Sequence, residues 1–167
     1  MAAAKPKLIV FDLDYTLWPY WCDTHIDPPF SKNSKGEVRD ARGQLVKHYP
    51  EVPEVLEDLH AQGYLLGVAS RTGEVQGANQ LIRLFGWDKF FSYKEIYPGC
   101  KINHFKKLRN NSGLNYDEML FFDDEPRNGY DMKKIGVLMI RIDEHVGVNK
   151  AVVQKGLQEF ALRAAKN

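Results

Sequence analysis

Five short apolar runs alternate with stretches whose apolar residues recur at helical spacing, and this rhythm limits the chain to few folds. Residues 7–12 read Lys-Leu-Ile-Val-Phe-Asp, a continuous apolar run that ends in an acid. Such a run is expected of a strand buried on both faces of a parallel sheet. Residues 52–63 follow with Val52, Val55, Leu56 and Leu59 at helical spacing, Pro53 near the start and Gly63 at the end. Residues 64–69 are again strand-like. Residues 74–85 place Val75, Ala78, Leu81, Ile82 and Phe85 on one helical face, and Gly86 stops it. The pattern then predicts a weaker strand over 90–96, a helix over 101–109 with Ile102, Phe105 and Leu108 inward, and a strand over 119–122. A short helix up to Gly136, a strand over 137–142 and a closing helix over 149–165 complete it.

Strands that alternate with helices imply βαβ units and a parallel sheet covered on both faces. The expected class is α/β, a Rossmann-like doubly wound parallel sheet of about five strands. A length of 167 residues fits one domain over 1–167 with one core. One segment breaks the rhythm. Residues 20–49 are polar, with Pro28-Pro29 and a Ser34-Lys35-Gly36 turn signal. Long irregular segments inside compact domains are usually functional or mobile. We read this one as a flap inserted after the first strand, with a hairpin around Lys35-Gly36. It is expected to project over the sheet edge and to shape substrate preference more than chemistry.

Lys+Arg total 23 and Asp+Glu 22, a formal net charge of +1. A near-neutral chain has no bulk attraction to nucleic acid or to an anionic membrane. No apolar run approaches the roughly 18 residues of a membrane span. Cys22 and Cys100 sit in no CxxC or zinc-type spacing, so two reduced thiols in a cytoplasmic, monomeric protein are expected. His25, His48, His60, His104 and His145 show no paired metal spacing. His104, one turn from Lys101, is assigned to packing. Trp18 reads as core, while Tyr20 and Trp21 read equally as packing or as a substrate wall.

In doubly wound sheets, ligands bind outside the carboxyl ends of the strands. The chemically able residues fall there. Asp12 and Asp14 close the first strand, Ser70 and Arg71 the second, and Asp123 and Asp124 the fourth. Lys101 opens the helix after the third. Four carboxylates in one crevice repel each other unless cations join them. Mg²⁺ is hard, favours oxygen ligands and takes one or two carboxylates together with phosphate. A cleft with Mg²⁺, a lysine, an arginine and a hydroxyl suits a phosphoryl group. Asp12 and Asp14 stand two apart on an extended strand and so face one side. One carboxylate can attack while the other handles a proton. Each residue alone reads more readily as structural, an acid at a strand end or a helix N-cap. Their succession at consecutive strand ends does not.

Phe11-Asp12-Leu13-Asp14-Tyr15-Thr16-Leu17 resembles the first motif of the haloacid dehalogenase superfamily. Ser70 resembles its second motif, Lys101 its third and Asp123-Asp124 its fourth. Asp14-Tyr15-Thr16-Leu17-Trp18-Pro19, Asp27-Pro28-Pro29-Phe30, Ala69-Ser70-Arg71-Thr72, Glu95-Ile96-Tyr97-Pro98-Gly99 and Phe121-Phe122-Asp123-Asp124-Glu125 resemble the eukaryotic magnesium-dependent phosphatases of that superfamily. The resemblance implies Asp12 as nucleophile and Asp14 as acid and base, with the Asp14 backbone carbonyl on the metal. It implies Ser70 on the phosphate, Arg71 near the substrate and Lys101 as counter-charge. Asp123 would bind Mg²⁺ directly with Asp124 behind it, and Asn128 would support the metal site. Thr16 would hold the turn. It further implies no large cap domain, an open site, and activity on aryl phosphates like phosphotyrosine or on phosphorylated sugars. Protein-bound fructosamine-6-phosphates are among these.

Two other readings use the same chemistry. A phosphotransferase would pass the phosphoryl group to an acceptor other than water. A non-enzymatic signalling receiver also carries an aspartyl-phosphate, a hydroxyl, a lysine and an acidic metal site. In receivers, however, the acidic pair comes first, and here Asp123-Asp124 comes last.

Overall fold

The computed structural model describes residues 3–167. In chain order the elements are β1 (Leu8–Phe11), β2 (Ser31–Lys32), β3 (Val38–Arg39), α1 (Val52–Ala61), β4 (Leu65–Ser70), α2 (Val75–Leu84) and β5 (Phe91–Ile96). They continue with α3 (Lys101–Ser112), β6 (Met119–Asp123), α4 (Pro126–Ile135), β7 (Leu138–Arg141) and α5 (Lys150–Lys166). Single 3₁₀ turns precede β5 and β6. The main sheet runs β5-β4-β1-β6-β7, with every neighbour parallel. The five expected strands and five expected helices are all present, with no end displaced by more than three residues.

β1 is central and wholly buried. Its side chains alternate, as the pleat requires. Ile9 and Phe11 join a core with Leu56 of α1, Leu81 of α2 and Phe160 of α5. Leu8 and Val10 join another with Phe105 and Leu108 of α3 and Met132 of α4. The chain leaves β1 toward β4 and β5 on one side, then crosses to β6 and β7 on the other. That reversal opens a crevice at the carboxyl end of β1.

The inserted segment carries the expected hairpin, Ser31 opposite Arg39 and Lys32 opposite Val38. It is more embedded than its composition implies. Cys22, Ile26, Phe30, Val38, Val46 and Tyr49 all pack into the core that holds Phe11. The Asp40 carboxylate gathers the chain around it by accepting from the backbone N–H groups of Asp27, Arg42 and Gln44. The tip, 31–36, and the stretch 41–45 are uniformly exposed.

Gly156 lets α5 approach the sheet. A Cβ there would lie 2.7 Å from Phe122 Cζ and 3.2 Å from Ile140 Cγ1. Phe122 is fully buried and stacked on Phe11, so it cannot yield. Gly156→Val is therefore expected to cost about 1–3 kcal/mol of stability. A thermal melt checks this, and an unchanged melting temperature would mean that the helix can shift freely.

Candidate active site

The turn after β1 shapes the crevice. The Leu13 carbonyl accepts from the N–H groups of Thr16 and Leu17, and the Tyr15 N–H donates to the Trp18 carbonyl. Tyr15 adopts a left-handed conformation (φ 57°), the only described non-glycine residue to do so. A bulky residue held at positive φ is uncommon and costs energy. The tight reversal brings Thr16 Oγ1 to 3.1 Å from Asp12 Oδ2 and Trp18 Nε1 to 2.7 Å from Asp14 Oδ1. The Cys22 N–H also donates to Asp14 Oδ1, at 3.1 Å. Asp14 is thus fixed through one oxygen, and its other oxygen accepts no hydrogen bond among the described residues.

Lys101 enters from the first turn of α3. Its Nζ donates to Asp12 Oδ1 at 3.1 Å, Asp123 Oδ2 at 3.1 Å and the Ala69 carbonyl at 2.7 Å. All three ammonium protons are used. Burial alone would lower its pKa, but the Asp12 and Asp123 charges outweigh burial and hold it above the ordinary value. Asp123 is fully buried. Its Oδ2 also accepts from Asn128 Nδ2 at 2.7 Å, and its Oδ1 from the Glu125 N–H at 3.0 Å.

Asp12, Asp14, Ser70, Arg71, Lys101, Asp124 and Asn128 line one pocket of about 310 Å³. The resemblance puts Asp124 behind Asp123; in the structure Asp124 lines the pocket and Asp123 stands deeper. Ser70 Oγ accepts from the Thr72 N–H at 3.2 Å, which leaves its own proton available to a ligand. The flap contributes through its first turn only, with Trp21, Asp23 and Thr24 on the pocket wall. Its hairpin instead borders a groove with Leu84 and Phe85 at the end of α2. Trp21 is half-exposed and stacks on His25 with centroids 5.4 Å apart. Tyr20 turns inward, stacks on Trp18 and donates to the Lys47 carbonyl. The tie between them breaks in opposite directions: Tyr20 packs and Trp21 walls the pocket.

Asp12, Asp123 and Asp124 each offer an oxygen, and these oxygens lie within 4.8 Å of one another. Burial first, then the neighbouring Asp123 charge, holds Asp12 well above the usual carboxylate range. Burial likewise pushes Asp124 up to about 6. Burial also raises Asp14. One ammonium thus faces three crowded carboxylates. Close by, Asn128 Oδ1 is buried on the same wall with no partner. Hard oxygen donors, excess negative charge and an unpaired acceptor for a water fit Mg²⁺.

Trp18, Cys22 and His104 make contacts at the site that residue type did not reveal. Thr16, Trp18 and the Cys22 N–H act on Asp12 and Asp14 through a strained turn. No sequence period marks such a turn.

The described acid phosphatase family model matches residues 4–163. Human magnesium-dependent phosphatase 1 is 54% identical over 159 residues, covering 95% of this chain and 89% of that protein. A HAD-like hydrolase superfamily protein of Schizosaccharomyces pombe is 42% identical over 81% of this chain and 84% of its own length. Among solved structures, a phosphatase fold from Clostridium difficile superposes with a TM-score of 0.64 at 18% identity, over 92% of both chains. That likeness speaks for the architecture, and the two sequence relatives speak for descent. With Asp12, Ser70, Lys101 and Asp124 lining one pocket and Asp123 bonded to Lys101 behind it, the chain belongs to the acid phosphatase family of the haloacid dehalogenase superfamily.

Proposed function

We propose that this chain hydrolyses phosphate monoesters with Mg²⁺ by way of an aspartyl-phosphate on Asp12. One observation carries the reading. Asp12 lies between the Lys101 ammonium and the Thr16 hydroxyl at the mouth of the central strand, in one pocket with the free edge of Asp14.

An Asp12 oxygen attacks phosphorus, a P–O bond to Asp12 forms, and the ester P–O bond breaks. Asp14, whose carboxyl burial holds above the usual carboxylate range, gives a proton to the leaving oxygen. Asp14 then takes a proton from water as the water oxygen attacks phosphorus. The bond to Asp12 breaks, which returns the carboxylate and releases inorganic phosphate. Ser70 donates to a phosphoryl oxygen, and Arg71 stands at the pocket wall for substrate contact. Lys101 offsets the charge of Asp12 throughout. The metal would be held by Asp12, the Asp14 backbone carbonyl and the Asp123-Asp124 pair. Of that pair, Asp124 has its edge on the pocket, whereas Lys101 and Asn128 occupy Asp123 Oδ2. When bound, Mg²⁺ neutralises charge on the phosphoryl oxygens.

The leaving-group side is open. A groove of about 620 Å³ adjoins the pocket across Trp21 and Asp124 and runs past Tyr15 to Arg141 and His145. Such a trough accommodates aryl phosphates, phosphorylated sugars or the same groups on a protein chain. A substrate screen across these three classes tests it.

Asp12→Asn is expected to abolish phosphate release, by at least about 10³-fold, with an unchanged circular dichroism spectrum. Turnover near wild type would remove Asp12 as the attacking group. Asp14→Asn should slow phosphorylation by an alkyl phosphate by about 10²–10⁴-fold. An aryl phosphate, which needs little protonation, should suffer less in that step and accumulate phosphoenzyme in rapid-quench kinetics. Equal loss in the first step for both esters would refute the acid role.

Metal binding should also appear in stability. Asp12 and Asp124 bind protons more tightly folded than unfolded, so in EDTA their contribution is largest below about pH 4. It is lost as pH rises through about 6 for Asp124. A cation replaces those protons. The gain in melting temperature on adding Mg²⁺ should therefore be small at pH 4.5 and grow through pH 7. An equal gain at both ends would place the metal elsewhere.

A further inference from the structure

His104 is fully buried in α3, one turn beyond Lys101. Its Nε2 stands 2.8 Å from the Ser70 carbonyl and 2.7 Å from the Tyr97 carbonyl, and its Nδ1 lies 3.1 Å from the Cys100 carbonyl. All three neighbours can only accept. Burial pushes the imidazole pKa down, so the ring carries one proton, and the two shorter contacts draw it to Nε2. Nδ1 is then left facing a carbonyl with nothing to donate. The ring also stacks on Tyr97, with centroids 4.3 Å apart and planes 9° from parallel. A phenyl ring would supply that stacking without an unsatisfied nitrogen. The packing role alone gives no reason for histidine.

The geometry of β4 gives one. Lys101 donates to the carbonyl of Ala69, and His104 to the carbonyl of the next residue, Ser70. The first turn of α3 therefore grips two consecutive carbonyls at the end of β4. The Tyr97 N–H also reaches the Ser70 carbonyl, at 3.1 Å, so β5 is drawn into the same knot. Ser70 is the last residue of β4, where ladder pairing gives out and the chain turns toward Arg71 and Thr72. No other side chain among the described residues holds its backbone.

We infer that His104 is a positioning residue, which fixes the Ser70 backbone so that the Ser70 hydroxyl and Arg71 meet the phosphoryl group at a set distance from Lys101. It touches neither substrate nor metal. The inference rests on the reading of Ser70 as the phosphate ligand. Misplacement of a binding group by about 1 Å can cost up to about 10²-fold, and an effect of about tenfold is expected here on phosphate recognition.

Two variants of the full chain separate the roles, because each keeps one property of the ring. His104→Phe keeps the stack on Tyr97 and removes the donor. His104→Gln keeps an N–H donor and removes the stack. KM for p-nitrophenyl phosphate, the inhibition constant of inorganic phosphate, the Mg²⁺ half-saturation and the melting temperature are measured for both. His104→Phe should raise KM and the phosphate inhibition constant about tenfold with Mg²⁺ half-saturation unchanged. His104→Gln should lie within about threefold of wild type in both constants, even if it melts lower. Packing alone demands the reverse order, and that order would overturn the inference. So would equal effects of the two variants, or a Mg²⁺ shift as large as the KM shift. Ser70→Ala is the control on the underlying reading. If Ser70→Ala leaves the phosphate inhibition constant unchanged, the phosphate role of Ser70 fails. If Ser70→Ala raises it and His104→Phe does not, only the positioning role fails.

Discussion

The Lys101 ammonium is the junction on which the site depends. It is fully buried, and its three protons go to β1 through Asp12, to β6 through Asp123 and to β4 through the Ala69 carbonyl. A helix start and three strand ends are thereby set against one another at one atom. The ring of Phe121 lies beneath it, 4.9 Å from Nζ, so the charge rests on an aromatic face as well as between carboxylates. A buried ion cluster of this kind is weak evidence for stability, because desolvation consumes much of what the pairing returns. Its value lies in placement. A chain that needed only stability would fill this space with apolar side chains.

The fold was largely legible because its signals are periodic. The run Leu8–Phe11 is apolar throughout, as a strand covered on both faces must be, and Leu81 and Ile82 recur at helical spacing beside Ala78. Residue types at strand ends then indicated the site, since a doubly wound sheet brings such ends together whatever the intervening sequence. The inserted segment resisted the same treatment. Phe30, Val38, Val46 and Tyr49 follow no helical or strand period, so their burial could not be read from spacing, and polar residues around them implied a looser element. What fixes that segment is local capping by Asp40 and contacts with distant helices.

Within the site, legibility followed a similar line. Asp12, Asp14, Lys101 and Asp123 announce themselves by charge at a strand or helix end. Tyr20 and Trp21 are adjacent aromatics with the same apparent claim on the pocket, and only the turn decides that one points inward to Trp18 and the other to the wall. Asp123 and Asp124 are likewise identical in type. Their difference in depth comes from the pleat of β6, which sends Asp123 toward Lys101 and leaves Asp124 beyond the strand end. His104 escaped because its charge is not its function. It acts through a backbone carbonyl, and nothing in a residue's type says which carbonyl it will meet.

The charge balance explains why these devices occur together. Three carboxylates within reach of one another share a single ammonium, and the two next to the pocket are held above their ordinary pKa by burial. Such a site is poised to take a cation, and the cation draws a phosphoryl group whose negative charge would otherwise be repelled. That poise demands rigidity, since carboxylates free to move would swing apart into solvent. The strained Tyr15 turn, the Thr16 and Trp18 donors, the Asn128 amide and the grip of α3 on β4 all supply it. None of these groups needs to touch the reacting atoms. They hold like charges closer than those charges would settle on their own.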